Sequence, residues 1–99
     1  MNIRGFTKDF NLKVEGIESH CGSIFGVTSE DIHSRVRSSK NVIARFGIWY
    51  ILSEIYKLSS VTIGEIYDRD HATVLNGLKR AKALNLETKL GLGNDRKIL

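Results

Sequence analysis

The chain has 99 residues, a length that suits one domain with a single hydrophobic core. Its 15 Lys and Arg residues outnumber 11 acids and give a formal net charge of +4, which favours polyanionic partners such as nucleic acid. One cysteine excludes an internal disulfide framework, and residues 1–10 contain no apolar segment of signal-peptide length, so we expect a cytoplasmic protein. The longest apolar run, residues 48–52, is too short to cross a membrane.

Two helices are predicted in the first third of the chain. Apolar residues recur with roughly helical spacing over residues 11–25, which predicts a helix that Gly26 ends. Residues 1–10, which include Gly5 and several polar residues, are expected to form a flexible N-terminal arm. Residues 28–31, with the sequence Thr-Ser-Glu-Asp, resemble a capping box and predict a short second helix over residues 29–36.

A basic loop and a long helix are predicted in the middle of the chain. No acid occurs within residues 32–53, and residues 37–40 are polar and basic, which is typical of an exposed loop. The acid-free window contains four cations: Arg35, Arg37, Lys40 and Arg45. Residues 41–58 are apolar on more than one face, so we expect a central, buried helix. Trp49 and Tyr50 belong to this helix and are predicted to pack in the core and not to stack on bases.

Two further helices with a tight connection are predicted next. A short helix covers residues 62–67, and residues 68–69 interrupt the helical pattern. Asp70 can cap the following helix, which runs over residues 71–84. Two short helices joined by a tight turn form a helix-turn-helix, whose second helix presents its N-terminal residues to the major groove of DNA.

These elements predict an all-α fold, a single helical domain of about five helices that contains a helix-turn-helix. The domain is expected to cover residues 11–84. Residues 85–99 contain several glycines and an asparagine, and we expect them to fray as a C-terminal tail.

The side chains at the start of the predicted recognition helix suit contacts with base edges. Asp70 can accept a hydrogen bond from a cytosine amino group, and His71 can donate one or make an apolar contact. Ala72 can touch a thymine methyl group, and Thr73 can bond either a base or a phosphate. The N-terminus of the helix itself favours a nearby phosphate.

The sequence of residues 69–76, Arg-Asp-His-Ala-Thr-Val-Leu-Asn, resembles a known family signature. It is similar at six of eight positions to the Arg-Asp-His-Thr-Thr-Val-(Leu/Ile)-His motif in the C-terminal DNA-binding domain of the bacterial replication initiator DnaA. The Ile-Gly step at residues 63–64, and the spacing of Arg45 and Glu54 in the long helix, also match this family.

The resemblance implies a DnaA domain IV, or Trp-repressor-like, helix-turn-helix fold and specific roles for several residues. The recognition helix would enter the major groove of a DnaA box, and Arg37 would enter the adjacent minor groove. Arg45 would lie at the start of the long helix, near the DNA backbone.

The sequence departs from the family pattern at several positions. Asp68 alone stands where the family usually has two glycines before the Arg-Asp-His motif, so the turn is one residue shorter. Ala72 replaces a base-contacting threonine, Asn76 replaces a histidine, and Ser53 stands where the family often has a basic residue. No Gly-rich phosphate-binding loop of the Walker type occurs, so the ATPase domain of a complete initiator is absent from this sequence.

Sequence-specific binding of double-stranded DNA, in replication or transcription control and on the nucleoid, is therefore the leading functional prediction. We expect no enzymatic activity and no cofactor, metal, membrane or small-molecule partner. The predicted DNA-binding residues are Arg35, Arg37, Lys40, Arg45, Arg69, Asp70, His71, Ala72, Thr73 and Asn76. Lys79 and Arg80, further along the recognition helix, are interpreted as solvated charges.

Two alternative functions remain open from the sequence. A helix-turn-helix core can be reused as a protein-interaction adaptor, which would present an apolar patch beside the recognition helix. An enzyme would require a pocket lined by groups such as His20, His33 or Glu54, and their spacing does not indicate one.

Overall fold

The computed structural model describes residues 7–91, which contain six helices and no strand, so the predicted all-α class is confirmed. In chain order the helices are α1 (Lys8–Phe25), α2 (Ser29–His33), α3 (Ser39–Glu54), α4 (Ser60–Tyr67), α5 (His71–Ala83) and α6 (Leu86–Lys89). Helix α3 contacts all five others and lies at the centre of the fold. Within the described range no helix has both the length and the apolar character that a membrane span requires.

Side-chain caps define where five of the helices begin. The caps are Thr7, Thr28, Ser38, Ser59 and Asp70, each accepting a hydrogen bond from a backbone N–H of the first turn. The predicted capping box of α2 is present in both directions. The Thr28 hydroxyl accepts from the Asp31 N–H at 3.1 Å, and the Asp31 carboxylate accepts from the Thr28 N–H at 3.0 Å. These hydrogen bonds lower the pKa of Asp31.

Several helix ends differ from the predicted ones because of local backbone geometry. Helix α1 begins at Lys8 because Thr7 caps it, although both residues were expected to lie in the flexible arm. Helix α2 ends at His33 and not at residue 36, because Ser34 is already extended. Helix α3 ends at Glu54, before the predicted residue 58, and Lys57 has a φ of 58° that no helix can accommodate.

The predicted fraying from residue 85 onward is wrong for the segment that forms α6. Leu86 and Leu90 are buried in the core, with exposed fractions of 0% and 2%. Nε2 of His20 lies 3.1 Å from the Leu90 carbonyl oxygen, which links α1 to the end of this segment. The predicted tail at residues 92–99 lies outside the described residues.

The core forms on both sides of α3, and Trp49 and Tyr50 are buried in it as predicted. Helix α5 approaches α3 closely at Gly77. A Cβ atom on Gly77 would lie 2.6 Å from Cε3 of Trp49 and 2.8 Å from Cδ1 of Phe46. Absence of a side chain at this position therefore fixes how closely α5 packs on α3, and with it the position of the helix-turn-helix.

Candidate nucleic-acid interface

Helices α4 and α5 form the helix-turn-helix, and their short turn is closed by two residues. Asp68 adopts the left-handed conformation with a φ of 53°, which aspartate tolerates better than most residues. The Arg69 N–H then donates to the Gly64 carbonyl at 2.8 Å. A Cβ atom on Gly64 would collide with the Arg69 carbonyl oxygen, so glycine is required there. Asp68 thus supplies the left-handed residue that ends α4 and begins the turn.

The N-terminus of α5 presents the predicted base-contacting side chains to solvent. Asp70 accepts from the Ala72 N–H at 3.2 Å through Oδ2, and its other oxygen lies 3.5 Å from Nδ1 of His71. Asp70, His71, Ala72, Thr73 and Asn76 are all exposed. Capping therefore occupies one oxygen of Asp70 and leaves the first turn of α5 accessible to a ligand.

Arg45 was predicted to contact DNA, but the structure places it beneath the α2–α3 loop (residues 34–38), where only 5% of its surface is exposed. Its guanidinium donates to the carbonyls of Ile32 at 2.8 Å, Ser34 at 2.6 Å and Val36 at 2.9 Å. It also donates to the Asp31 carbonyl at 3.2 Å. Burial and the neighbouring arginines lower its pKa. Its donors are used to shape the loop, so it acts as a support and not as a surface contact.

Arg69 links the same loop to the helix-turn-helix. It donates to the carbonyl of Tyr67 at 2.8 Å and, across the fold, to the carbonyl of Ser34 at 3.1 Å. Arg35, on the loop, forms an ion pair with the carboxylate of Asp68 at 2.9 Å. The loop and the turn are therefore held against each other by two arginines, one from each side.

A cationic cleft lies between the α2–α3 loop, α3 and α5, with a volume of about 860 Å³. Val42, Phe46 and Trp49 contribute apolar surface, and no acidic residue lines it. The charged residues that line the cleft are all cations: Arg35, Arg37, Arg45, Arg69, Lys79 and Arg80. Thr73 and Asn76 line the same cleft from α5, so it is continuous with the N-terminal half of the recognition helix.

Lys79 and Arg80, which the sequence analysis interprets as solvated charges, are exposed and line the cleft. They lie three and four residues beyond Asn76, a spacing that places them on the same face of α5, and this spacing was the available signal. Lys40, in contrast, does not line the cleft. Its Nζ lies 4.0 Å from the point where a Cβ of Gly26 would stand, at the turn between α1 and α2.

A buried carboxylate near the α2–α3 loop was missed. Glu18 of α1 is 1% exposed and accepts from the Tyr67 hydroxyl at 2.7 Å and the Ser29 hydroxyl at 3.0 Å. Nε2 of His33 lies 2.7 Å from Oε2 of Glu18, the oxygen that also accepts from Tyr67, and the His33 ring stacks on Tyr67 with centroids 5.0 Å apart. Glu18 therefore joins α1, α2 and α4 just before the loop begins. Its position four residues after Val14, on the apolar face of α1, was the one sequence signal.

Comparison with known proteins gives one family and a consistent set of relatives. The family model described as bacterial DnaA protein helix-turn-helix matches residues 14–81. The chromosomal replication initiator protein DnaA of Oleidesulfovibrio alaskensis is 32% identical over 81 residues, covering 81% of this chain and 18% of that protein. The protein of the same name from Streptococcus mutans serotype c is 35% identical over 72 residues, covering 72% of this chain and 16% of that protein.

The DnaA 1 initiator protein of Chlamydia muridarum is 32% identical over 68 residues, covering 69% of this chain and 15% of that protein. The chain thus spans less than a fifth of the length of these curated relatives. No solved structure gives a significant match. The family match begins within α1, ends within α5, and includes the α2–α3 loop and the helix-turn-helix. The chain therefore belongs to the bacterial DnaA protein helix-turn-helix family.

Proposed function

We propose that this chain binds double-stranded DNA in a sequence-specific manner and serves in replication initiation. The observation that carries the proposal is the exposed N-terminus of α5 beside a cleft lined by six cations and no acid. Duplex DNA is a polyanion whose phosphates such a cleft would attract, while its major groove admits one α-helix. The relatives are named as chromosomal replication initiators, which supports the process and suggests a DnaA-box-like site.

Base contacts in this proposal come from the first turns of α5. Asp70 retains one oxygen that does not cap the helix, and Thr73 presents a hydroxyl on the side of the cleft. A carboxylate accepts from a cytosine amino group, and a hydroxyl bonds bases or phosphates. Asn76 lies one turn further along the same face and can reach a base edge or a phosphate.

Arg37 is the residue of this proposal that enters the minor groove. It lies on the α2–α3 loop, is exposed, and lines the cleft opposite α5. Its loop is held by Arg45 and Arg69 through backbone carbonyls, so the side chain extends from a fixed base. Arginine suits a narrow minor groove because negative potential is concentrated there.

A protein-interaction adaptor would present an apolar patch beside the recognition helix. The surface next to α5 carries cations at Arg37, Lys79 and Arg80, which favours DNA as the partner. Leu75 is exposed on α5 but is a single residue, and scattered apolar side chains are ordinary on protein surfaces.

The test is a fluorescence-anisotropy titration of a duplex with a DnaA-box-like site and of a scrambled duplex, each at two salt concentrations. We expect tighter binding to the box and weaker binding to both duplexes at higher salt. Thr73→Val should reduce the preference for the box by about threefold to tenfold, since it removes a polar contact without changing shape. Thr88→Val, in α6, is the control and should leave the preference unchanged.

Two outcomes would contradict the proposal. Equal binding to the box and to the scrambled duplex would remove sequence specificity for this site. Absence of binding to either duplex at low salt would remove DNA binding altogether and favour the adaptor.

A further inference from the structure

Arg35, a cation of the proposed DNA surface, forms an ion pair with a carboxylate of the protein itself, that of Asp68. Nη2 of Arg35 lies 2.9 Å from Oδ2 of Asp68 and 3.5 Å from the Asp68 carbonyl oxygen. Both side chains are open to solvent, with exposed fractions of 72% and 91%. Arg35 also lines the cationic cleft, whose charged residues are all cations. Asp68 is therefore a carboxylate that faces the edge of a surface otherwise suited to phosphates.

The backbone of Asp68 is held in place by its neighbours. Its left-handed conformation closes the helix-turn-helix, and the Arg69 N–H bonds back to the Gly64 carbonyl at 2.8 Å. The Arg69 guanidinium also donates to the Asp68 carbonyl at 3.3 Å. The carboxylate is thus presented to Arg35 from a fixed turn, and carboxylate and phosphate compete for the same guanidinium donors.

We propose that Asp68 competes with DNA phosphates for Arg35 and thereby lowers the affinity of this domain for duplex DNA. The inference rests on the proposed function. Arg35, bound to Asp68, contributes no phosphate contact in the complex, and the exposed carboxylate repels phosphates that approach the turn. The shortened turn thus places a carboxylate at the edge of the DNA surface, and this carboxylate lowers the affinity for duplex DNA.

The test is a double-mutant cycle of Asp68→Asn and Arg35→Ala, measured as affinity for the box and scrambled duplexes over a range of salt concentrations. Asparagine adopts the left-handed conformation readily, so the turn should be retained, and thermal unfolding checks this. Glu65→Gln is the matched control. It removes the same charge from an exposed position of α4 in the same surface region, away from the Arg35 pair.

Asp68→Asn is expected to tighten binding of both duplexes by about threefold to tenfold and to steepen the salt dependence by about 0.9 in slope, the value of one added phosphate contact. Glu65→Gln should tighten binding less than Asp68→Asn does, because it removes the same charge from the same surface region but leaves the carboxylate that pairs with Arg35 in place. Arg35→Ala should have a small effect in the wild-type background, but should abolish the gain in the Asp68→Asn background.

An equal gain from Asp68→Asn and Glu65→Gln would overturn the inference, because net charge alone would then explain it. A gain that persists when Arg35 is absent would also overturn it. Binding by Asp68→Asn with none by the wild type would support the inference. Absence of binding by both proteins would instead remove the proposed function on which it rests.

Discussion

Arg45 shows how one buried side chain can hold the shape of a loop. Its guanidinium donates to four backbone carbonyls. Two belong to α2, at Asp31 and Ile32, and two to the loop, at Ser34 and Val36. Ser34 and Val36 lie between the end of α2 and the start of α3, so their carbonyls are outside both helices. A fixed, planar fork of donors is needed to reach them together, which arginine provides and lysine does not.

Arg45→Lys is therefore expected to lower the free energy of unfolding by about 2–4 kcal/mol, because buried carbonyls would lose their donors. The same change should weaken DNA binding through disorder of the loop that carries Arg37. Urea unfolding measures the first effect and anisotropy the second. Arg37→Lys is the control and should change stability by less than about 0.5 kcal/mol, since Arg37 is exposed. Wild-type stability in Arg45→Lys would show that the carbonyl contacts do not hold the loop.

Glu18 is a second buried charged side chain that joins several elements, but it accepts hydrogen bonds where Arg45 donates them. Tyr67 and Ser29 donate to its buried carboxylate, and His33 stacks on Tyr67. A tyrosine phenol is protonated at neutral pH, and burial and the negative charge of Glu18 raise the pKa of Tyr67 further, so it remains a donor to Glu18 into alkaline solution. The network fixes the last residue of α2, immediately before the loop that Arg45 supports from the other side.

At the scale of the elements, the close approach of α5 to α3 determines where the recognition helix lies. Gly77 faces the buried ring of Trp49 and the partly buried ring of Phe46, and both rings would have to shift to admit a side chain. Gly16 in α1 offers a comparison within the same chain, because no atom lies within 4 Å of the point where its Cβ would stand. One helical glycine is thus required by packing and the other is not.

Gly77→Ala is expected to destabilise the fold by about 1–3 kcal/mol, since overpacking outweighs the gain in helix propensity. Gly16→Ala should stabilise it by about 0.5–1 kcal/mol, because the propensity gain meets no clash. Urea unfolding of the two variants, with the wild type alongside, measures both effects. Stabilisation by both substitutions would mean that α5 can move away from Trp49 without cost.

The sequence predicted elements whose cause is local and missed those whose cause is tertiary. The capping box at Thr28 and the cap at Asp70 depend on residues within one turn, so pattern alone located them. The burial of Leu86 depends on a groove formed by the other helices, which no local pattern records. The hydrogen bonds of Arg45 were not predicted for the same reason, because its partners are carbonyls that only the folded chain brings near.

At the scale of the whole molecule, charge is distributed unevenly over a fold with a net charge of +4. The cleft collects six cations, whereas the adjoining turn presents the acids Glu65, Asp68 and Asp70. A phosphate strand would be attracted to the cleft and repelled from the turn, which limits the orientations in which a duplex can approach. Lys79 and Arg80 extend the cleft along α5 beyond Thr73 and Asn76.

Neutralising Lys79 and Arg80 together by substitution with glutamine should lower the salt-dependence slope of DNA binding by about 1.8, the value of two phosphate contacts. Affinity should fall for box and scrambled duplexes alike, since phosphate contacts carry no sequence information. The double variant Lys82→Gln and Lys89→Gln is the matched control, with the same loss of net charge at exposed positions outside the cleft. Its slope should remain near that of the wild type. Equal loss of slope in both double variants would show that overall charge, and not the cleft, attracts the duplex.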